Sequence, residues 1–199
     1  MLFKKVLYAN EQQLWNGIKA GDKKALAAVY KLHVKALYNY GNKIYHDATL
    51  VEDAIHDMFL DLWNSRQNLS PVISIRAYLF ASVRRKILRS KESAAIGFNP
   101  TWTALDLIVE SDEKKLIDAE LYDEQVKRLK AHLNNLSPRQ YEAIILRFYD
   151  KMRYEDIATV MEVNEQSARN LVQRGIECLR QFAQITISIL APLVLLAVE

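Results

Sequence analysis

Arg169, Asn170, Gln173 and Arg174 occupy helically spaced positions in the run Glu165-Gln-Ser-Ala-Arg-Asn-Leu-Val-Gln-Arg-Gly-Ile176. Their side chains can pair in bidentate fashion with guanine and adenine edges or grip phosphates. Ala168, Leu171, Val172 and Leu179 recur at the spacing of an inward face, which turns the polar four outward. Upstream lie Tyr154-Glu-Asp-Ile-Ala-Thr-Val-Met161 and a short Glu162-Val163-Asn164 link, giving the proportions of a helix-turn-helix. Ala158 is small enough for two helices to approach closely, and Asn164 is a good N-cap for the second. Such turns and caps also recur in ordinary helical hairpins, so the outward Arg/Asn/Gln/Arg set is what points to DNA.

A second cationic element lies earlier in the chain. Arg76, Arg84, Arg85, Lys86, Arg89 and Lys91 fall within residues 76–91 with no acidic side chain among them. Residues 106–124 reverse the sign, with eight acidic side chains (Asp106, Glu110, Asp112, Glu113, Asp118, Glu120, Asp123, Glu124) against Lys114 and Lys115. This pattern fits a protein that meets a polyanion at one place and basic protein surface at another; two solvated faces are the plainer alternative. Catalytic constellations are not visible: His33, His46, His56 and His132 are scattered without ligand spacing, and no phosphate-cradling glycine loop occurs. The chain therefore reads as a non-enzyme that needs no cofactor and no metal.

These groups need helices to position them. Leu14, Ile18, Leu26, Val29, Tyr30 and Leu37 follow helical spacing over residues 12–40, broken by Gly21-Asp22, which ends one helix and caps the next. Val51, Ile55, Met58, Phe59, Leu62 and Trp63 form a stripe over residues 48–64 flanked by Glu52, Asp53, Asp57 and Asp61. Ser65 to Pro71 reads as a loop, after which Tyr78, Leu79, Val83 and Ile87 resume the period beneath the basic face. Periodicity fails from Ser93 to about Leu116, where Gly97, Asn99 and Pro100 mark a linker with Trp102 as its large anchor. It returns at Leu121, Val126, Leu129 and Leu133. Ser137-Pro138-Arg139-Gln140 then supplies an N-cap serine, a first-turn proline and a capping-box glutamine, and Ile144, Ile145 and Phe148 continue that helix.

Composition agrees with an all-α fold. In 199 residues there are 5 Gly and 4 Pro, too few for a turn-rich β architecture. A formal charge of +3 is mild, so its distribution matters more than its sum. The single Cys178 cannot form an internal disulfide, and the amino-terminal apolar stretch is too short for a secretory signal, so the expected location is cytoplasmic.

The order and spacing of these segments resemble the extracytoplasmic-function branch of the sigma-70 family. GDKKALAAVYKLHVKALYNYGNKIYHDATLVEDAIHDMFLDLWNSR is similar to region two of that family, and LNNLSPRQYEAIILRFYDKMRYEDIATVMEVNEQSARNLVQRGIECLRQ to region four. The QSARNL segment resembles the iron-uptake branch common in Bacteroidetes-type bacteria. The resemblance implies two small helical domains joined by a flexible linker: residues 11–92 as region two, 93–116 as acidic linker, 117–182 as region four and 183–199 as an apolar tail. It implies a sigma factor that binds core RNA polymerase and promoter DNA. Glu52, Asp53, Asp57, Asp61, Leu62 and Trp63 would dock the polymerase. Tyr78, Arg84, Arg85, Lys86 and Arg89 would hold the minus-10 region as it opens. Arg169, Asn170, Gln173 and Arg174 would contact the minus-35 element in the major groove. Ser137, Arg139 and the Leu146-Arg147-Phe148 corner would face the polymerase flap and upstream DNA, and the acidic linker would follow the RNA exit path.

Three departures qualify this. Arg85 stands where many members carry Asn, and Arg89 where they carry Asp; both changes favour phosphate over base contacts. Gly175, often alanine in the family, costs about 1 kcal/mol of helix propensity and is expected to loosen the recognition helix. Between Arg180 and Glu199 no charge occurs, yet the apolar run is short and interrupted by Pro192, so packing on protein is expected over crossing a bilayer. A helix-turn-helix regulator, or a polymerase adaptor brought to DNA by another protein, is the competing function. An anti-sigma factor, a signalling receptor and an unrelated recruiter are all compatible regulators, and no small-molecule substrate is implied.

Overall fold

The computed structural model describes residues 11–93 and 136–182. The linker with Trp102, the acidic run 106–124, His132 and the apolar tail lie outside them. Every regular element among the described residues is helical, and the chain divides into two compact units, Met1–Phe98 and Asn99–Glu199.

The first unit contains α1 (Glu11–Lys19), α2 (Lys23–Tyr45), α3 (Ala48–Asn64), a 3-10 turn (Arg66–Asn68) and α4 (Ile75–Ser93). Gly21, at φ +83°, makes the turn after α1, and the Asp22 carboxylate then caps α2 by accepting from the Lys24 amide at 2.8 Å. His46, at φ 52°, closes α2, and Asp47 immediately caps α3 by accepting from Leu50 N at 3.0 Å. So short a connection turns the chain back on itself and lays α3 against α2. Gly41 permits the approach: a Cβ there would sit 2.5 Å from Val51 Cγ1. Trp15, Leu37, Tyr40, Leu79, Phe80 and Ile87 fill the core, all fully buried. Tyr30 departs from the expected inward stripe; it is 46% exposed, with its ring edge-on to Phe59 at 5.0 Å.

Helix α1 also braces the loop between α3 and α4. Trp15 Nε1 donates to the Ser70 carbonyl at 2.8 Å, and Glu11 Oε2 accepts from the Ile75 amide, the first of α4, at 3.0 Å. Two side chains one turn apart thus hold both ends of a segment about sixty residues away in sequence.

The second unit contains α5 (Pro138–Ile144), a π-helical turn (Ile145–Tyr149), α6 (Tyr154–Met161) and α7 (Glu165–Phe182). The capping box forms as the sequence predicts, Ser137 Oγ accepting from Gln140 N and Gln140 Oε1 from Ser137 N. The expected continuation through Phe148 takes a wider path. Asp150 N donates to Ile145 O at 3.0 Å and Met152 N to Leu146 O at 2.9 Å, so the helix unwinds through a π turn into the α6 approach. Leu146 is fully buried, which removes it from the expected flap-facing corner; Arg147 and Phe148 are half-buried. Asn164 caps α7 by accepting from Ser167 N at 2.7 Å.

Gly175 also lies at a contact between helices that its propensity does not reveal. A Cβ at this position would lie 2.6 Å from Ile144 Cδ1, the movable end of a side chain, so α7 passes close to α5 here.

Candidate nucleic-acid interface

In α7 the 3.6-residue period puts Arg169, Asn170, Gln173 and Arg174 on one exposed surface, opposite buried Ala168, Val172 and Leu179. Leu171 is half-buried between the two faces. The polar face is held in order by pairs one turn apart. Arg169 Nη2 donates to Glu165 Oε1 at 2.7 Å, Gln166 Nε2 to Asn170 Oδ1 at 3.0 Å, and Gln173 Nε2 to Glu177 Oε1 at 3.0 Å. Local periodicity does not reveal that the guanidinium of Arg169 also lies over the ring of Tyr154.

In the first unit, Tyr78, Arg85 and Arg89 stand seven and four residues apart along α4 and so share a face, with Arg84 and Lys86 on its flanks. Arg85 and Arg89 are exposed; Tyr78, Arg84 and Lys86 are half-buried. Tyr78 meets the fully buried Trp15 edge-on at 5.0 Å, which anchors one side of its ring. Lys86 Nζ reaches Asp61 Oδ2 at 2.6 Å. This ion pair joins the basic helix to the acidic one, and the two surfaces expected to meet different partners touch there.

On α3, Glu52, Asp53, Asp57 and Asp61 are exposed as expected. Leu62 is not: at 1% exposure it points into the core and cannot form part of a docking surface. Leu60, 47% exposed, lies instead beside the acidic side chains, seven residues after Asp53 and three after Asp57. Its exposure is hard to read from the sequence because the stripe of apolar residues on this helix is broad, although the seven-residue spacing from Asp53 carries the signal. Trp63 is half-buried, and the Arg66 guanidinium covers its ring at 4.6 Å while donating to the Trp63 carbonyl at 2.8 Å.

Among the described residues no group of three or more His, Cys, Asp or Glu side chains could hold a metal ion, and no helix is long and apolar enough to cross a membrane. Burial pushes the pKa of His33 below the ordinary histidine value; Glu11 opposes the shift and Arg76 adds to it.

Comparison with known proteins connects the two units. The family model for sigma-70 region 2 matches residues 29–95, and that for sigma-70 region 4 matches residues 127–179. The chain is 25% identical over 163 residues to the ECF RNA polymerase sigma factor SigK of Mycolicibacterium vanbaalenii, covering 80% of this chain and 82% of the relative. A SigK from Mycobacterium sp. (strain KMS) is 23% identical over the same length. Among solved structures, CnrH in complex with the cytosolic domain of CnrY superposes with a TM-score of 0.62 at 18% identity, covering 88% of this chain and 98% of that one. RpoE of Bartonella quintana, solved with the anti-sigma factor NepR, gives a TM-score of 0.55 at 20% identity, covering 82% and 99%. These structures share its fold. With region 2 and region 4 present in order, each built on the helices described above, the chain belongs to the sigma-70 family, in its extracytoplasmic-function (ECF) group.

Proposed function

We propose that this chain acts without catalysis of its own, as a cytoplasmic subunit that docks on core RNA polymerase through α3 and contacts promoter DNA through α4 and α7. The observation that carries the proposal is the paired occurrence of regions 2 and 4, each presenting a charged face of the sign its partner requires. Glu52, Asp53, Asp57 and Asp61, with Leu60 and the edge of Trp63, offer an acidic and apolar surface to a basic protein helix. Tyr78, Arg84, Arg85, Lys86 and Arg89 offer cations and one aromatic ring to the opening minus-10 strand. Arg169, Asn170, Gln173 and Arg174 enter the minus-35 major groove. Residues 11–92 serve as the polymerase-docking and minus-10 unit, 93–116 as the acidic tether, 117–182 as the minus-35 unit and 183–199 as a tail that packs on protein.

Both solved neighbours carry a protein partner, which supports an anti-sigma factor as regulator here. The QSARNL segment supports placement in the iron-uptake branch. A lone helix-turn-helix regulator would leave residues 29–95 without a task. The test is capture of core polymerase by wild-type chain, Asp57→Arg and Leu60→Ala. Capture by the wild type, lost in both variants while their helical spectra persist, is expected. Equal capture by all three would overturn docking through α3, and no capture by the wild type would overturn the sigma-factor role.

A further inference from the structure

Three segments of the second unit converge on one aromatic ring. The Arg169 guanidinium, from α7, lies 4.3 Å from the centroid of Tyr154, the first residue of α6. That of Arg147, from the π turn, lies 4.7 Å from the same centroid. Neither arginine is loosely placed. Arg169 Nη2 is held by Glu165 at 2.7 Å, and Arg147 Nη1 donates to the Met152 carbonyl at 3.0 Å.

This arrangement bears on what Arg169 can recognise. To read guanine, a guanidinium must present two parallel N–H groups edge-on to the base. Here one terminal nitrogen is engaged by Glu165, which competes for one arm of the fork, and the ring contact fixes the plane in which the remaining N–H groups point. The N–H groups that remain suit a single phosphate oxygen. Charge points the same way: Glu165 balances Arg169, and the second guanidinium on the ring leaves an excess of positive charge. Two cations on one ring repel each other, and an anion within reach of both offsets the repulsion.

We infer that Tyr154 is a positioning residue that holds Arg147 and Arg169 as a clamp for one backbone phosphate of the DNA bound by α7. Arg169 then fixes grip and register, while Asn170, Gln173 and Arg174 read the base edges. The inference rests on α7 being the DNA-reading helix.

The test uses the full chain assembled with core polymerase and a panel of promoter duplexes carrying every single substitution in the minus-35 element. Tyr154→Leu and Arg169→Ala are expected to weaken binding by the same factor on every duplex and to lower the slope of log K against log salt by about one. Tyr154→Phe, which keeps the ring, should bind as wild type does. Asn170→Ala and Arg174→Ala should instead relax preference at individual base pairs. A loss of preference at one base pair in Arg169→Ala, or unchanged binding by Tyr154→Leu with lowered thermal stability, would overturn the clamp and leave α7 as the reader. If none of the α7 variants alters binding, the functional assignment itself fails. Should Tyr154→Leu not fold, Arg147→Gln makes the same test: a uniform loss with a lowered salt slope supports the clamp, and an unchanged slope overturns it.

Discussion

Replacing Gly41 with alanine should destabilise the first unit, even though alanine is the better helix former by about 1 kcal/mol. The new Cβ would lie 2.5 Å and 2.8 Å from the two γ-methyls of Val51 and 3.3 Å from its Cβ. Rotating Val51 exchanges one methyl for another, and a β-branched side chain in a helix has essentially one χ1 well, so local adjustment offers little relief. Helices α2 and α3 must separate, and Val51 and Tyr40 beside the contact are fully buried. Overpacking costs about 1–3 kcal/mol, and a 2.5 Å approach to a stiff side chain belongs at the upper end, about 2–3 kcal/mol, so that after the gain in propensity a net loss of about 1–2 kcal/mol remains. For a unit of this size each kcal/mol lowers Tm by about 4–8 °C. The assay is thermal melting of the full chain followed by the fluorescence of Trp15 and Trp63, in a Trp102→Phe background so that the signal reports the first unit. Val51→Ala supplies the control: it vacates the contested space, so the double variant should be no less stable than Val51→Ala alone. A Gly41→Ala protein melting at or above wild type, or a double variant showing the sum of both losses, would refute the steric argument.

Gly175→Ala should change stability little, because the contested atom, Ile144 Cδ1, is the end of a flexible side chain; Gly175→Val should lower Tm clearly in the same melt. Trp15→Phe removes the hydrogen bond to the Ser70 carbonyl, which should cost about 1 kcal/mol and speed amide hydrogen exchange in residues 70–75 while α7 stays unchanged. Asn164→Ala removes the cap of α7 and should cost about 1 kcal/mol, seen as faster exchange in its first turn; Asn164→Asp should retain the protection. His33 has a folded pKa below its unfolded value, so the unfolded chain binds more protons as the medium acidifies. Its contribution is intact above the ordinary histidine value and is lost as pH falls through the lower folded one. Urea midpoints at pH 7.5 and 5.5 should therefore differ less in His33→Gln than in wild type.

Features that depend on neighbours along the chain could be read from the sequence. The Ser137 capping box, the Asn164 cap, the Gly21-Asp22 break and the outward polar set of α7 all involve residues within one or two turns, where helical geometry alone decides the outcome. Contacts between distant segments were not legible. Glu11 accepts from an amide 64 residues away, and no local pattern signals it. The same holds for the close approaches at Gly41 and Gly175, which require a partner helix before the missing Cβ has meaning. The π turn at Ile145–Tyr149 follows from closing the chain toward α6, and an apolar run does not distinguish it from an α-helix. Leu62, expected on the docking surface, belongs to the apolar stripe that faces the core, and Leu60, two residues and about 200° away on the helix, is the exposed leucine. Tyr154 reads as an ordinary helix-start aromatic until two arginines from other segments are placed against it.

The most direct test of the central claim is reconstituted transcription: purified core RNA polymerase, the full chain, and a library of genomic fragments as template, with transcript starts mapped. Starts that appear only when the chain is present, lie at a fixed distance from a shared pair of upstream elements, and vanish with Asp57→Arg are the predicted result. Core polymerase that initiates identically with and without the chain would contradict the account.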